Sequence, residues 1–74
     1  MILNDGEIKL CEWQYRKTGG FYTALFTACT KADNINLARL SLAFPQEVLA
    51  FKRYSQEEGY WDKVKEAYIE ILTK

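Results

Sequence analysis

The carboxylates that could carry acid–base chemistry lie close together in this sequence, at Glu57, Glu58 and Asp62, with Tyr60 and Trp61 between them. Two carboxylates act as general acid and base only when they flank a cleft at a defined separation. A chain of 74 residues that forms short helices has little room for such a cleft. Acidic side chains also stabilise the start of a helix. We therefore predict that the protein is not an enzyme.

The residue types that the chain lacks restrict its chemistry further. It contains no histidine, which is the commonest general base and metal ligand in proteins. Cys11 and Cys29 alone are too few for a structural zinc site. Gly19-Gly20 has no strand before it and so lacks the context of a phosphate-binding loop. The sequence predicts no metal and no cofactor.

Two basic pairs, Arg16-Lys17 and Lys52-Arg53, are the candidate nucleic-acid contacts. The chain balances 10 Lys and Arg against 10 Asp and Glu, whereas phosphate affinity requires clustered cations. A helix-turn-helix centred on Phe44-Pro45 would lack the usual turn of about three to four residues. Nucleic acid is therefore the alternative partner, and we expect the basic pairs to be solvated.

Aromatic residues give the strongest indication of function. The chain has two Trp, five Tyr and four Phe, more than a small core buries easily. Tyr and Trp favour positions with one wet end and dominate the energetics of protein interfaces. Trp13, Tyr15 and Tyr60 fall outside the cleanest apolar rows, so we predict that they form an exposed patch that binds a protein partner. The alternative is that they are half-buried lids over the core.

Apolar spacing from residue 20 onward is that of short helices. Phe21, Leu25 and Cys29 share one helical face, and Tyr22 and Phe26 lie beside it and widen it. Pro45 suits a first helical turn, and Gly59 is a natural stop. The predicted helices cover residues 20–32, 35–43, 45–57 and 60–73, although a capping-box pattern at residues 55–58 would start the last helix four residues earlier.

The core is expected to include Leu25, Leu40 and Trp61, which lie on these apolar rows. The helix over 35–43 is so apolar that we predict it to be a central element, with Arg39 at its exposed edge. Replacing Leu25 by alanine would then cost about 2–5 kcal/mol.

The first eleven residues follow a different pattern. Asp5-Gly6 lies between two apolar runs, which is a hairpin signal, and Ile8 and Leu10 would then face inward. The alternative is an extended arm. The predicted fold class is mainly α, a single domain over residues 1–74 in which a compact bundle of about four short helices carries an N-terminal β-hairpin or extended arm.

Neither a membrane span nor an export signal is apparent. No segment approaches the ~20 apolar residues that a span requires, and residues 1–6 lack the basic flank and apolar core of a signal peptide. Without export, Cys11 and Cys29 are expected to be buried, reduced thiols. The sequence predicts no membrane association and a cytoplasmic location.

One part of the chain, residues 19–61, resembles small uncharacterised proteins of phages and prophages from gut and related bacteria. The resemblance is carried by residues 19–26, 31–33, 36–40 and 44–48, with Tyr54. It supplies no active site to transfer. It implies a context, because small phage proteins often bind and modulate a host protein, including defence enzymes, or serve as accessory factors.

These observations together predict a non-catalytic protein-interaction domain, an accessory protein of a phage or mobile element that binds a host or phage protein. A defence-system inhibitor is one example. Two alternatives remain open. The first is a small nucleic-acid-associated regulator that uses Arg16, Lys17, Lys52 and Arg53. The second is a homo-oligomeric structural protein, because chains below about 80 residues often gain buried surface by self-association.

Overall fold

Five helices follow one another along the chain in the computed structural model, which describes residues 1–73. The Cα radius of gyration, 12.0 Å, is close to the value of about 11 Å that a compact chain of this length adopts. The mainly helical fold is confirmed, and residues 1–73 contain no strand. The helices are α1 (Asp5–Gln14), α2 (Gly20–Lys31), α3 (Asn34–Ala43), α4 (Pro45–Gln56) and α5 (Tyr60–Leu72).

Helices α2 to α5 match the four predicted ranges to within one residue at each end. Gly59 decides the start of the last helix, because its φ of 84° is a left-handed conformation that glycine adopts without strain. Helix α4 therefore ends before Gly59 and α5 begins after it. The alternative start at residues 55–58 is wrong.

The predicted N-terminal hairpin and its alternative, an extended arm, are also wrong, since α1 begins at Asp5. The Asn4 side chain accepts a hydrogen bond from the Glu7 amide at 2.8 Å, and Glu7 Oε1 accepts one from the Asn4 amide at 3.0 Å. This reciprocal capping box satisfies two backbone donors at the helix start. The turn-forming residues of the sequence are thus a helix cap, and the bundle has five helices instead of about four.

Helices α1 and α4 form the most extensive helix pair. Gly6 lies directly against the backbone of Gln46 and Glu47. Trp13 lies seven residues further along α1, and its ring centroid is 6.4 Å from the ring centroids of Phe51 and Tyr54 in α4. The two helices therefore run side by side in the same direction, and only a residue without a side chain fits at position 6.

Core side chains come from all five helices, with Leu10, Cys11, Phe26, Val48 and Val64 the largest that are fully buried. Of the predicted core residues, Leu25 is buried, while Leu40 and Trp61 are half-buried and pack against the core.

Helix α2 buries the middle of its predicted face, where Leu25 and Cys29 are both buried, but not its start. Phe26 is fully buried, whereas Phe21 is 60% exposed. The stripe that begins at Phe21 is therefore only partly the core face.

Helix α3 is peripheral, which corrects its predicted central position. It packs mainly on α4, and Leu37 is its only buried residue. Its start is fixed by Asp33, whose side chain accepts a hydrogen bond from the Asn36 amide at 2.8 Å. Because α3 is apolar around most of its circumference, this position leaves aliphatic side chains facing solvent.

Candidate protein interface

Tyr60, one of the three predicted partner-binding residues, is buried. Its hydroxyl donates a 2.7 Å hydrogen bond to Glu7 Oε2. Burial, followed by this hydrogen bond, raises the pKa of the Tyr60 hydroxyl above its usual value. The expectation that Tyr60 lies on an exposed patch is wrong, because the buried Glu7 carboxylate takes the tyrosine hydroxyl as its donor.

Trp13 and Tyr15, the other two predicted residues, belong to a chain of packed aromatic rings. Trp13 is half-buried and stacks on Phe26 with ring centroids 5.2 Å apart. Tyr15 is 39% exposed and stacks on Tyr68 at 5.8 Å. Many of the aromatic side chains therefore pack between helices, and of the three predicted residues only Tyr15 is exposed.

The four residues of the two basic pairs differ in their intramolecular contacts. The Arg53 guanidinium lies 4.2 Å from the Tyr60 ring centroid and pairs with Glu57 at 2.9 Å. Arg16, Lys17 and Lys52 are exposed. Arg53 thus already has two intramolecular partners, while the other three remain candidate nucleic-acid contacts.

Trp13 and Arg16 are brought together in one surface pocket of about 520 Å³, at the turn between α1 and α2. Thr18 and Thr23 also line it, and their hydroxyls hydrogen-bond to each other at 2.6 Å. The pocket therefore combines one half-buried ring with one cation, and its two threonine hydroxyls are already paired.

The Glu7–Tyr60 pair gives the first prediction. Replacing Tyr60 by phenylalanine is expected to lower the free energy of unfolding by about 2 kcal/mol, because a buried carboxylate loses a charge-assisted hydrogen bond. Urea unfolding followed by circular dichroism measures the loss. The matched control is Tyr15→Phe, which removes a hydroxyl at an exposed position and is expected to change the value by less than about 0.5 kcal/mol.

The same pair sets a pH dependence. The folded-state pKa of Tyr60 lies above its ordinary value of 10.0. The protonated Tyr60 hydroxyl therefore stabilises the folded state fully below pH 10.0, and this stabilisation is lost as the pH rises above 10.0 toward the folded-state pKa. Tyr60→Phe should therefore lose less stability between pH 9 and 11 than the unmodified protein. An equal loss in both proteins would contradict this assignment.

Sequence reasoning missed the outward side of α3, which we call the α3 row: Ile35, Ala38 and Leu42. Ile35 is 66% exposed and Leu42 is 87% exposed. Their spacing of three and seven residues places them on one helical face, on the opposite side of α3 from Leu37. The spacing of the row can be read from the sequence, but the sequence contains no signal that says which apolar side of this helix faces the core.

On the neighbouring side of α3, separated from this row by Arg39, lies the α2–α3 groove, a surface depression of about 490 Å³ between the end of α2 and α3. Within residues 1–73, neither Lys31 nor Arg39 forms an ion pair with an acidic side chain. Arg39 donates one hydrogen bond, to Asn36 Oδ1 at 3.3 Å. The groove is therefore apolar with two available cations, and its lining residues are Ala28, Lys31, Ala32, Asn36, Arg39 and Leu40.

The two thiols have no evident chemical role. Cys11 and Cys29 are both free and buried. Burial, with a smaller contribution from the nearby carboxylates of Glu7 and Glu12, raises the pKa of Cys11 to about 12. Burial also raises the pKa of Cys29. Since the thiolate is the reactive form, both side chains act as small apolar core residues.

Comparison with known proteins finds no matching family model, no matching curated protein and no matching solved structure. Within residues 1–73, no group of three or more Cys, Asp or Glu side chains is arranged to hold a metal ion. No helix in the same part of the chain has the length and apolar character needed to cross a membrane.

Proposed function

We propose that this protein is a non-catalytic protein-interaction domain, an accessory protein of a phage or mobile element that binds and modulates a host or phage protein in the cytoplasm. Inhibition of a host defence system is one form that this activity takes. The phage context is supported by the resemblance over residues 19–61. The binding role is supported by the α3 row.

The α3 row carries the proposal because two of its three side chains, Ile35 and Leu42, are large, aliphatic and mostly exposed. Burying a Leu or Ile side chain contributes about 1.5–3 kcal/mol, and that contribution is largely unused at Ile35 and Leu42. Single exposed apolar residues are ordinary on protein surfaces, but contiguous apolar patches are typical of interaction sites. A partner that covers both side chains would gain this free energy on binding.

The test is affinity purification of the tagged protein from host lysate, with and without nuclease, followed by binding measurements on the purified partner. We expect one protein to be recovered in both samples. Replacing both Ile35 and Leu42 by serine should weaken its binding about tenfold or more, as loss of interface anchors does. The control is Ile69→Ser, which removes an exposed aliphatic side chain from α5.

Two results would contradict the proposed function, and a third would contradict the α3 row as its interface. Recovery that disappears with nuclease would favour the regulator that uses Arg16, Lys17, Lys52 and Arg53. Self-association with no other protein recovered would favour the homo-oligomer. Equal binding by the double variant and the Ile69→Ser control would show that the α3 row is not the interface, and Tyr15→Ala would then test the one predicted aromatic residue that is exposed.

A further inference from the structure

We infer that the α2–α3 groove, together with the α3 row, is the docking site for an acidic amphipathic helix of the partner protein. This inference rests on the proposed function and specifies the chemistry of the partner. Two independent properties of the surface lead to it, the shape of its apolar part and the sign of its charge.

The apolar part suits a helix. Ala28 and Ala32, two of the residues that line the groove, have small side chains, so that a partner backbone can approach closely on the α2 side. Ile35 and Leu42 are seven residues apart, which is about 10.5 Å along the helix axis at 1.5 Å per residue. A partner helix with apolar residues at matching i, i+3 or i+4, and i+7 positions presents the same repeat.

The charge selects an acidic partner. Arg39 lies one helical turn from both Ile35 and Leu42 and, like Lys31, also lines the groove. Between residues 20 and 43 the single acidic residue is Asp33, and its side chain caps α3. A guanidinium that forms no ion pair can bind a carboxylate through two parallel hydrogen bonds. Glu or Asp beside the apolar row of the partner helix would therefore pair with Lys31 and Arg39.

A second copy of this chain fits the site less well. Its α5 helix presents exposed Ile69 between Glu66 and Glu70, but Lys63 and Lys65 lie in the same helix. Contact between α5 of one copy and α3 of another uses two different surfaces. Such a contact generates open chains unless the rotation closes a ring. A separate partner protein is the occupant that the charge pattern favours.

The test uses three labelled synthetic peptides of equal length and fluorescence anisotropy with the full chain. The first is an amphipathic helix with Leu at i, i+4 and i+7, flanked by Glu. The second has Lys in place of every Glu, and the third has Ser in place of every Leu. We expect the acidic, leucine-containing peptide to bind about tenfold more tightly than either of the others, with weaker binding at higher salt.

A charge-swapped protein makes the test specific to the groove. The double variant Lys31→Glu/Arg39→Glu should lose affinity for the acidic peptide and prefer the Lys-containing one. The matched control, Lys52→Glu/Lys63→Glu, makes the same change of net charge at exposed positions outside the groove and should keep the original preference. Circular dichroism spectra of both variants should match that of the unmodified protein.

Equal binding of the acidic and basic peptides, or an unchanged preference in the charge-swapped protein, would overturn the inference. Self-association of the unmodified protein in sedimentation that Glu66→Lys abolishes would replace the partner by a second copy. Retention of an oligonucleotide that the charge swap abolishes would replace it by nucleic acid. A purified partner that still binds the charge-swapped protein would refute the groove and leave the proposed function intact, whereas recovery of no partner would contradict both.

Discussion

Replacing Gly6 by alanine is expected to lower the free energy of unfolding by about 3 kcal/mol. A Cβ atom at this position would lie 2.6 Å from the Glu47 amide nitrogen and would also meet the backbone carbonyl of Gln46. Backbone atoms in two packed helices cannot rotate away as a flexible side chain can. Helix α1 would have to move from α4, which would loosen the packing around Leu10 and Val48. Urea unfolding followed by circular dichroism measures the loss.

If the contact between Gly6 and α4 does not affect stability, Gly6→Ala should instead raise the free energy of unfolding. Alanine has a higher helix propensity than glycine by about 1 kcal/mol, so Gly6→Ala would then stabilise α1. Gly20→Ala is the matched control, because Gly20 begins α2 and, apart from its chain neighbours and its own helix backbone, no atom lies within 4 Å of where its Cβ would be. We expect Gly20→Ala to leave stability unchanged or to raise it slightly. Similar shifts in both variants would contradict the role of Gly6.

Gly6 also explains why the sequence predicted the wrong structure for the first eleven residues. Asn, Asp and Gly are common both in turns and at helix caps. Asn and Asp form hydrogen bonds to nearby backbone groups, and Gly has no side chain to restrict its backbone, so all three permit non-helical conformations. Glu7 at the third helical position completes the capping box. What makes glycine necessary is contact with Gln46 and Glu47, about forty residues further along the chain, and no local pattern reports that contact.

The other four helices were predictable because residues in the local sequence mark where helices begin or end. Pro45 begins α4, and Gly59 adopts a left-handed conformation immediately before α5. Asp33 caps α3 through its own side chain. Each of these effects depends on residues within one turn of the boundary, so the local sequence is enough to predict where the helix begins.

The candidate interface was much less predictable, since helix orientation is a tertiary property. Apolar residues occur on several sides of α3, and packing against α4 determines that Leu37 is buried while Ile35 and Leu42 are exposed. The aromatic prediction failed at Tyr60 for a similar reason. Its partner, Glu7, lies 53 residues away in sequence, and a buried acceptor for a tyrosine hydroxyl leaves no mark near the tyrosine.

The second large effect is expected at Phe26, where replacement by alanine should cost about 3–5 kcal/mol. Phe26 is fully buried, and its ring stacks on that of Trp13 at 5.2 Å. Truncation removes the buried ring and leaves a cavity between α1 and α2. A small domain has a total stability of about 5–15 kcal/mol, so this single change consumes a large share of it. Urea unfolding measures the loss, and near-ultraviolet circular dichroism should show a weaker tryptophan signal because Trp13 loses its stacking partner.

Two further variants separate loss of packing from loss of an aromatic residue. Phe21→Ala makes the same substitution five residues earlier in α2, where the side chain is 60% exposed, and should cost about 1 kcal/mol or less. Phe26→Leu refills most of the cavity and should cost about 1 kcal/mol, which keeps the folded state populated for measurement. Equal losses at Phe21 and Phe26 would show that the exposed start of α2 matters as much for stability as its buried middle. A much larger loss at Phe26 would show that the buried part of α2 stabilises the bundle.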